Sequence, residues 1–123
     1  YDNPRNLLSK LVRYQKQLKA ENSISHKQEF VNACIETITK NVPYGIYNVT
    51  NTGYITTEFL IEKLKKTIAK DKVFELIEAE EFYKSCAITP RSNCILDNSK
   101  LLDTGIKMST VEDSIDYCLN NWK

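Results

Sequence analysis

Four cysteines and one histidine are the side chains of this 123-residue chain whose chemistry is most easily interpreted. Cys34, Cys86, Cys94 and Cys118 form no CxxC or CxxxC pair, and His26 alone cannot complete a zinc site of the usual ligand spacing. An even number of scattered cysteines in a small chain is typical of two structural disulfides, which persist in oxidising compartments. The cysteines therefore predict a secreted, cross-linked domain without a metal site.

The pairing of the cysteines stays open at this point, because four cysteines allow three connectivities. We favour Cys34–Cys118 with Cys86–Cys94, since the first pair falls on predicted core-facing helix faces and the second flanks a short loop. The main rival is Cys34–Cys94 with Cys86–Cys118. Four reduced and buried thiols in a cytosolic protein are the remaining alternative.

The sequence carries no recognisable catalytic set. His26 falls in the first turn of a predicted helix, where an exposed side chain is the usual outcome. Neither GxSxG nor HExxH occurs, and no carboxylate pair is marked by a predicted cleft. We therefore predict a non-enzyme with no catalytic residues, no metal and no cofactor.

A tyrosine-rich segment is the first candidate for partner binding. Tyr44, Tyr47 and Tyr54 alternate with Gly, Asn and Thr, a composition typical of recognition surfaces because tyrosine offers contact area with few rotamers to lose. The alternative is that these rings pack onto the helices. Within the segment, Asn48 begins the sequon Asn-Val-Thr and is a candidate N-glycosylation site.

A change of charge along one predicted helical region is the second candidate. Lys63, Lys66 and Lys70 precede a cluster of glutamates that begins at Glu75. Such a dipolar surface could steer the chain toward a charged partner. The alternative is a solvated helix face, since exposed charge pairs contribute little energy.

The composition limits the fold and the partner class. Three glycines and three prolines are too few for the tight turns of an all-β domain, so the chain should be all-α. A net charge of +1, from 17 basic and 16 acidic residues, disfavours nucleic acid, and no apolar run is long enough for a membrane span. We predict a single secreted helical domain over residues 1–123, acting as a monomer.

The apolar periodicity predicts a compact bundle of five or six short helices cross-linked by two disulfides. One helix is expected over residues 4–20, a second from a Ser25/Gln28 capping box to about Lys40, and a third from Thr56 or Thr57 with a break at Asp71. The second helix should bury Phe30, Val31, Cys34, Ile35 and Ile38. Loops are predicted over residues 44–57 and 86–98, and a helical turn is predicted over residues 97–103. The last helix is predicted to begin at a Ser109/Glu112 capping box.

The chain resembles the anopheline mosquito salivary protein family of albicin and anophensin. The resemblance rests on size, on the N-terminal stretch YDNPRNLLSKLVRYQ, on four cysteines without CxxC pairs, on the scarcity of glycine, and on the C-terminal helix ending CLNNW. It implies a secreted salivary inhibitor that serves haematophagy and immune evasion and binds a host plasma complex without catalysis. The implied target is the C3 convertase of the alternative complement pathway, or a contact-pathway protease.

A carrier of biogenic amines or lipids, similar to insect odorant-binding or short D7 proteins, is the alternative function. The chain departs from that pattern because it lacks the CxxxC pair that joins neighbouring helices there. A cytokine-like helical bundle is a third reading. The sequence alone selects neither the target nor the binding epitope.

Overall fold

Short strands interrupt the helices, so the fold is α/β and the all-α prediction is wrong. The structure, a computed structural model, describes residues 2–86 and 89–123. In those ranges the elements are, in chain order, α1 (Leu7–Arg13), β1 (Lys16–Leu18), β2 (Glu21–Asn22), α2 (Lys27–Thr39), β3 (Ile55–Thr56), α3 (Thr57–Lys66), β4 (Glu75–Ile77), α4 (Ala79–Ser85), α5 (Ser99–Leu102) and α6 (Val111–Asn120).

The chain divides into two compact units, each assembled from separate stretches. Unit 1 comprises Tyr1–Glu21, Thr56–Asn93 and Tyr117–Lys123. Unit 2 comprises Asn22–Ile55 and Cys94–Asp116. The single-domain boundaries predicted for residues 1–123 stay a prediction. No helix of the described residues is long and apolar enough to cross a membrane.

Unit 1 contains a two-stranded sheet that the apolar periodicity does not predict. Strand β1 pairs in parallel with β4, in the register Lys16 with Glu75 and Leu18 with Ile77. The predicted first helix therefore stops after α1, whose first turn is capped by the Asn6 side chain accepting from the Leu8 amide at 2.9 Å. A parallel pair needs a long crossover rather than a tight hairpin, so scarce glycine does not argue against it.

The C-terminal end of α1 is closed by a lysine from far along the chain. The Lys72 ammonium donates to the carbonyls of Leu11, Val12 and Tyr14, the first at 3.3 Å and the last at 2.9 Å. A cation there complements the negative end of the helix dipole. Burial lowers the pKa of Lys72.

Unit 2 has a small core and a helix that is mostly outside it. Ala33, Leu101, Ile106 and Met108 form the buried cluster. Ala33 is the buried residue of α2, whereas the apolar residues predicted to be buried on this helix are exposed or half-buried. That prediction is wrong because the buried cluster of unit 2 meets α2 at Ala33 rather than at these residues.

In the described residues neither predicted capping box caps its helix. The Ser25 hydroxyl donates to the Val49 carbonyl at 2.9 Å, and α2 begins after His26 with no side-chain cap. Thr110, rather than Ser109, caps α6 by accepting from the Asp113 amide at 3.2 Å. The predicted cap of α3 is confirmed, since the Thr56 hydroxyl accepts from the Phe59 amide at 3.2 Å.

Candidate functional site

A cleft of about 690 Å³ lies in unit 2 between the end of α2 and the loop that follows it. Cys34, Thr37 and Ile38 line it from the helix, and Tyr44 and Tyr47 line it from the loop. Its volume is in the range of small-molecule sites, and its walls are mostly apolar with a few polar atoms. The cleft is therefore the first candidate for a binding site.

The end of α2 fixes the wall of this cleft. Asn41 has a φ of 48° and places the chain in the left-handed region. The Val42 amide donates to the Thr37 carbonyl and the Asn41 amide donates to the Ile38 carbonyl, both at 3.2 Å. These two bonds are the Schellman motif that ends helices, and asparagine tolerates the conformation better than most residues.

The loop after α2 is held in place by Tyr47 and Lys100. The Tyr47 hydroxyl donates to the Pro43 carbonyl at 2.5 Å. The Lys100 ammonium donates to the Ile46 carbonyl at 3.0 Å and lies 4.7 Å from the centre of the Tyr47 ring. With its neighbours fixed, Tyr44 presents a fully exposed ring at the cleft. The predicted recognition residues Tyr44 and Tyr47 are thus brought together.

A polar network supports the segment beyond this loop. The fully buried Asn51 donates through Nδ2 to the Glu29 carboxylate at 2.7 Å and to the Ser109 carbonyl at 3.1 Å. Its Oδ1 accepts from the His26 amide at 2.7 Å. Glu29 also accepts from the Ser109 amide and hydroxyl, each at 2.9 Å. The network ties α2 to the residues that precede α6.

The protonation of Glu29 follows from these bonds. Burial acts to raise the pKa of this carboxyl, but the hydrogen bonds from Asn51 and Ser109, with the nearby His26, outweigh it and lower the pKa. The carboxylate is ionised and fully engaged by the protein at neutral pH. We assign the network a structural role, because its carboxylate oxygens are already occupied by internal donors.

Unit 1 offers a second candidate, an arginine with a fixed backbone. The Tyr83 hydroxyl accepts from the Arg91 amide at 2.8 Å and donates to the Arg91 carbonyl at 2.9 Å. The Arg91 residue is exposed. A guanidinium projecting from a fixed backbone can bind an anion such as phosphate with two parallel hydrogen bonds. Arg91 cannot be predicted from the sequence, since one arginine in a polar loop matches no binding motif.

The remaining predicted binding residues are scattered. Tyr54 precedes β3 and is half-exposed. On α3, the Lys63 ammonium lies 5.3 Å from the Phe59 ring centre, and Lys66 pairs with Glu62. Lys70 is exposed beyond the end of α3. Their roles in partner binding stay predictions.

No disulfide joins any two of the four cysteines, so the favoured pairing and the rival pairing are both wrong. Cys86 and Cys94 are exposed, and Cys34 and Cys118 are half-buried. The Cys94 backbone instead contacts residues 22 and 23: its amide donates to the Asn22 side-chain oxygen at 2.9 Å, and its carbonyl accepts from the Ser23 amide at 2.8 Å. Within the described residues no group of three acidic, histidine or cysteine side chains could hold a metal.

The glycosylation candidate is engaged in the fold. The side-chain Nδ2 of Asn48 donates to the Asp97 carbonyl at 2.8 Å, so a glycan on this nitrogen would have to displace that contact. Glycosylation of Asn48 stays a prediction.

Sequence relatives are found among sugar-nucleotide enzymes, although no protein-family model matches the chain. A trifunctional UDP-glucose 4,6-dehydratase/UDP-4-keto-6-deoxy-D-glucose 3,5-epimerase/UDP-4-keto-L-rhamnose-reductase of Arabidopsis thaliana is 32% identical over 93% of this chain and 17% of its own length. A bifunctional dTDP-4-dehydrorhamnose 3,5-epimerase/dTDP-4-dehydrorhamnose reductase of the same plant is 31% identical over 92% of this chain. The chain spans 37% of that second relative.

The fold has a counterpart among solved structures. Part of the L780 UDP-rhamnose synthase of Acanthamoeba polyphaga mimivirus superposes with a TM-score of 0.83 and 19% identity, covering 97% of this chain and 41% of the synthase chain. The shared architecture is the α/β fold described above.

These relatives correct the functional predictions. The resemblance to the anopheline salivary family is wrong, and so are the complement inhibitor, the small-ligand carrier and the host plasma partners. The relatives are enzymes, which conflicts with the predicted non-catalytic function. The extracellular location stays a prediction, although the disulfides on which it rested are absent.

Proposed function

We propose that this chain is the part of a rhamnose-forming enzyme that binds the sugar nucleotide. The observation that carries the proposal is the alignment of 92–93% of the chain, at 31–32% identity, with two enzymes whose substrates are UDP- or dTDP-linked keto-deoxy sugars. The likeness in fold to part of a UDP-rhamnose synthase supports the same assignment.

We assign the chain to substrate binding rather than to hydride transfer. A reductase that uses a dinucleotide typically holds it with the Gly-rich turn GxGxxG. The glycines of this chain are Gly45, Gly53 and Gly105, which are too far apart to form that turn. The residues present do not fit a dinucleotide site, and we derive no hydride-transfer step through them.

Arg91 is the residue that we propose for the diphosphate of the substrate. Every UDP- or dTDP-sugar carries two phosphates, and arginine binds such groups through its planar fork. Arg13 is already paired with Asp2 at 3.2 Å, whereas the Arg91 backbone is fixed by Tyr83 and its residue is exposed. A fixed backbone reduces the ordering cost of binding.

The test is a titration of the 123-residue chain with UDP-glucose, UDP and dTDP, followed by amide NMR shifts. We expect saturable binding of the nucleotides with shifts around Arg91. Arg91→Gln should weaken binding by roughly 10- to 100-fold, because it removes a charge-assisted hydrogen bond to the nucleotide. Arg13→Gln is the matched control and should leave binding unchanged, because Asp2 neutralises that guanidinium.

A second arm uses the bifunctional Arabidopsis enzyme with this chain in place of its matched 113 residues. We expect the chimera to reduce dTDP-4-dehydrorhamnose and Arg91→Gln to raise KM. The proposal is overturned if the isolated chain and the folded chimera both show no saturable binding of any nucleotide. It is equally overturned if Arg91→Gln and Arg13→Gln behave alike in both arms.

A further inference from the structure

Asn93 lies two positions after Arg91 and has a side chain whose orientation is fixed. Its Oδ1 accepts from the Glu21 amide at 3.3 Å, and both residues belong to unit 1. Only the oxygen of a carboxamide accepts a hydrogen bond, so this contact determines which end of the group is Nδ2. The contact occupies the oxygen and leaves the nitrogen, with its two N–H donors, for another partner.

The Nδ2 donors of Asn93 have no acceptor in the part of the chain that the structure describes. The residue is exposed, so these donors are hydrogen-bonded to water in the isolated chain. A ligand that supplies acceptor oxygens can replace that water without the loss of a protein contact. Asn93 therefore has a donor that is available to a ligand and an acceptor that is already used.

The neighbouring Arg91 is fixed from the other side. The Tyr83 hydroxyl contacts both main-chain groups of Arg91, at 2.8 Å and 2.9 Å, and Pro90 restricts φ immediately before it. Two residues of chain span at most about 7 Å. The side chains of Arg91 and Asn93 can therefore reach one small ligand group, and anchoring both of them beforehand lowers the ordering cost of binding.

A diphosphate is the ligand group that suits these two side chains. Its oxygens are acceptors and carry negative charge, so they pair with the guanidinium of Arg91 and with the N–H groups of Asn93. Hydrogen bonds to ionised acceptors are shorter and stronger than those between neutral groups. UDP and dTDP share this diphosphate, whereas uridine has none.

We propose that Asn93 donates through Nδ2 to the diphosphate that Arg91 binds, so that residues 91 and 93 form a two-point phosphate site. This inference rests on the proposed function and adds a neutral donor to its charged one. The Tyr83 hydroxyl and the Glu21 amide are the supports of the site, one for each ligand-binding side chain.

The side-chain amide signals of Asn93 test the contact without any substitution. During a titration with UDP, we expect them to shift saturably, with the same Kd as the backbone amide of Arg91. Uridine should leave them in place because it carries no phosphate. The side-chain amide of Asn120, exposed at the end of α6, is the internal control and should not shift with either compound.

Two substitutions separate ligand binding from support. Asn93→Asp keeps an oxygen for the Glu21 amide and removes the N–H donors, whereas Asn93→Ala removes both. We expect Asn93→Asp to weaken UDP binding at least about 10-fold at both 0.1 M and 1 M NaCl. Screening shortens from about 10 Å to about 3 Å over that range, so a loss that persists at 1 M reflects direct contact. Asn120→Asp adds the same charge on α6 and should bind UDP as the parent chain does.

The outcomes distinguish this inference from the proposed function. If Asn93→Asp binds UDP as tightly as the parent chain at 1 M NaCl, the inference is overturned, and a loss in Asn93→Ala alone would reduce Asn93 to a support. Static Asn93 side-chain signals beside a shifting Arg91 amide would overturn it as well. In these cases Arg91→Gln still weakens binding, and the proposed function stands. No binding of UDP by the parent chain overturns both.

Discussion

Glu29 shows how one half-buried carboxylate can organise a segment of chain. It accepts from the Ser109 amide, the Ser109 hydroxyl and the Asn51 side chain, all within 2.9 Å. Asn51 in turn accepts from the His26 amide and has no solvent exposure. Removing one member leaves the other buried donors unpaired, which costs more than the net gain of forming each bond. The network therefore acts as one unit rather than as separate contacts.

Glu29→Gln should lower the free energy of unfolding at pH 7 by about 1–3 kcal/mol, because a neutral amide cannot accept all three donors. The folded state lowers the pKa of Glu29 from its usual 4.5. Its stabilising effect is therefore fully present above pH 4.5 and is lost as the pH falls through the folded pKa. Urea unfolding at pH 7 and pH 3 measures both effects.

The exposed Glu80 is the control for this substitution. Its carboxylate pairs with Lys84 on the surface and is 82% exposed, so Glu80→Gln should leave stability and its pH dependence unchanged. A Glu29→Gln chain that loses the same stability at pH 3 as at pH 7 would contradict the pKa argument. The expected loss at pH 3 is the smaller one, because pH 3 lies below the usual pKa of 4.5, where the stabilisation that accompanies the lowered pKa is already declining.

At the scale of elements, Asn41 decides how α2 ends. Its positive φ lets the chain leave the helix toward Pro43 and form the wall of the cleft. Only glycine adopts that conformation at no steric cost, and asparagine is the next most tolerant residue. The sequence predicted this end correctly from Asn41 and Pro43, because the signal lies within three residues.

At position 41 the Gly variant should be more stable than the Ala variant, and at position 39 it should be less stable. At position 41, Asn41→Ala should destabilise the chain by about 1 kcal/mol relative to Asn41→Gly, because alanine is strained at positive φ. At position 39, inside α2, Thr39→Gly should instead be less stable than Thr39→Ala by roughly 0.5–1 kcal/mol. Chemical denaturation of the four variants measures both differences, and the same order at both positions would refute the motif.

Local signals predicted some elements and not others. The cap and stripe of α3 follow from neighbouring residues, and the structure has them where the pattern indicates. Strand β1, with the sequence Lys-Gln-Leu, has no strand signal of its own. It exists because Gln17 is buried, donating to the Leu11 and Tyr14 carbonyls, and because β4 pairs with it from about 60 residues away. Such long-range partners are absent from any sequence window.

The candidate site was predicted only in part for a similar reason. Tyr44 and Tyr47 stand out by composition, and the structure places both at one cleft. Arg91 depends on the Tyr83 hydroxyl eight positions earlier, a contact that no spacing rule contains. The stripe of α2 was read correctly as apolar but assigned to a core within the chain. Periodicity shows which face is apolar and does not show what covers it.

At the scale of the whole molecule, the cysteine count predicted two disulfides that the structure does not have. An even number of cysteines is compatible with disulfides but does not require them, and no disulfide joins these four. The secreted class depended on that step, and the resemblance to the salivary family depended on it in part. Size, helix caps and scarce glycine are shared by unrelated folds, so they could not correct it.

The absence of disulfides among the four cysteines can be tested on the intact chain. Denatured without reductant, the protein should give four thiols with Ellman's reagent, and in the native state Cys86 and Cys94 should react before the half-buried Cys34 and Cys118. Its Tm should be the same with and without reductant, and a Cys86→Ser/Cys94→Ser variant should share it. A disulfide would contribute about 2–4 kcal/mol, so its reduction would lower the Tm by several degrees. A reductant-dependent Tm, or two missing thiols, would contradict the free-thiol structure and restore the cross-linked scaffold.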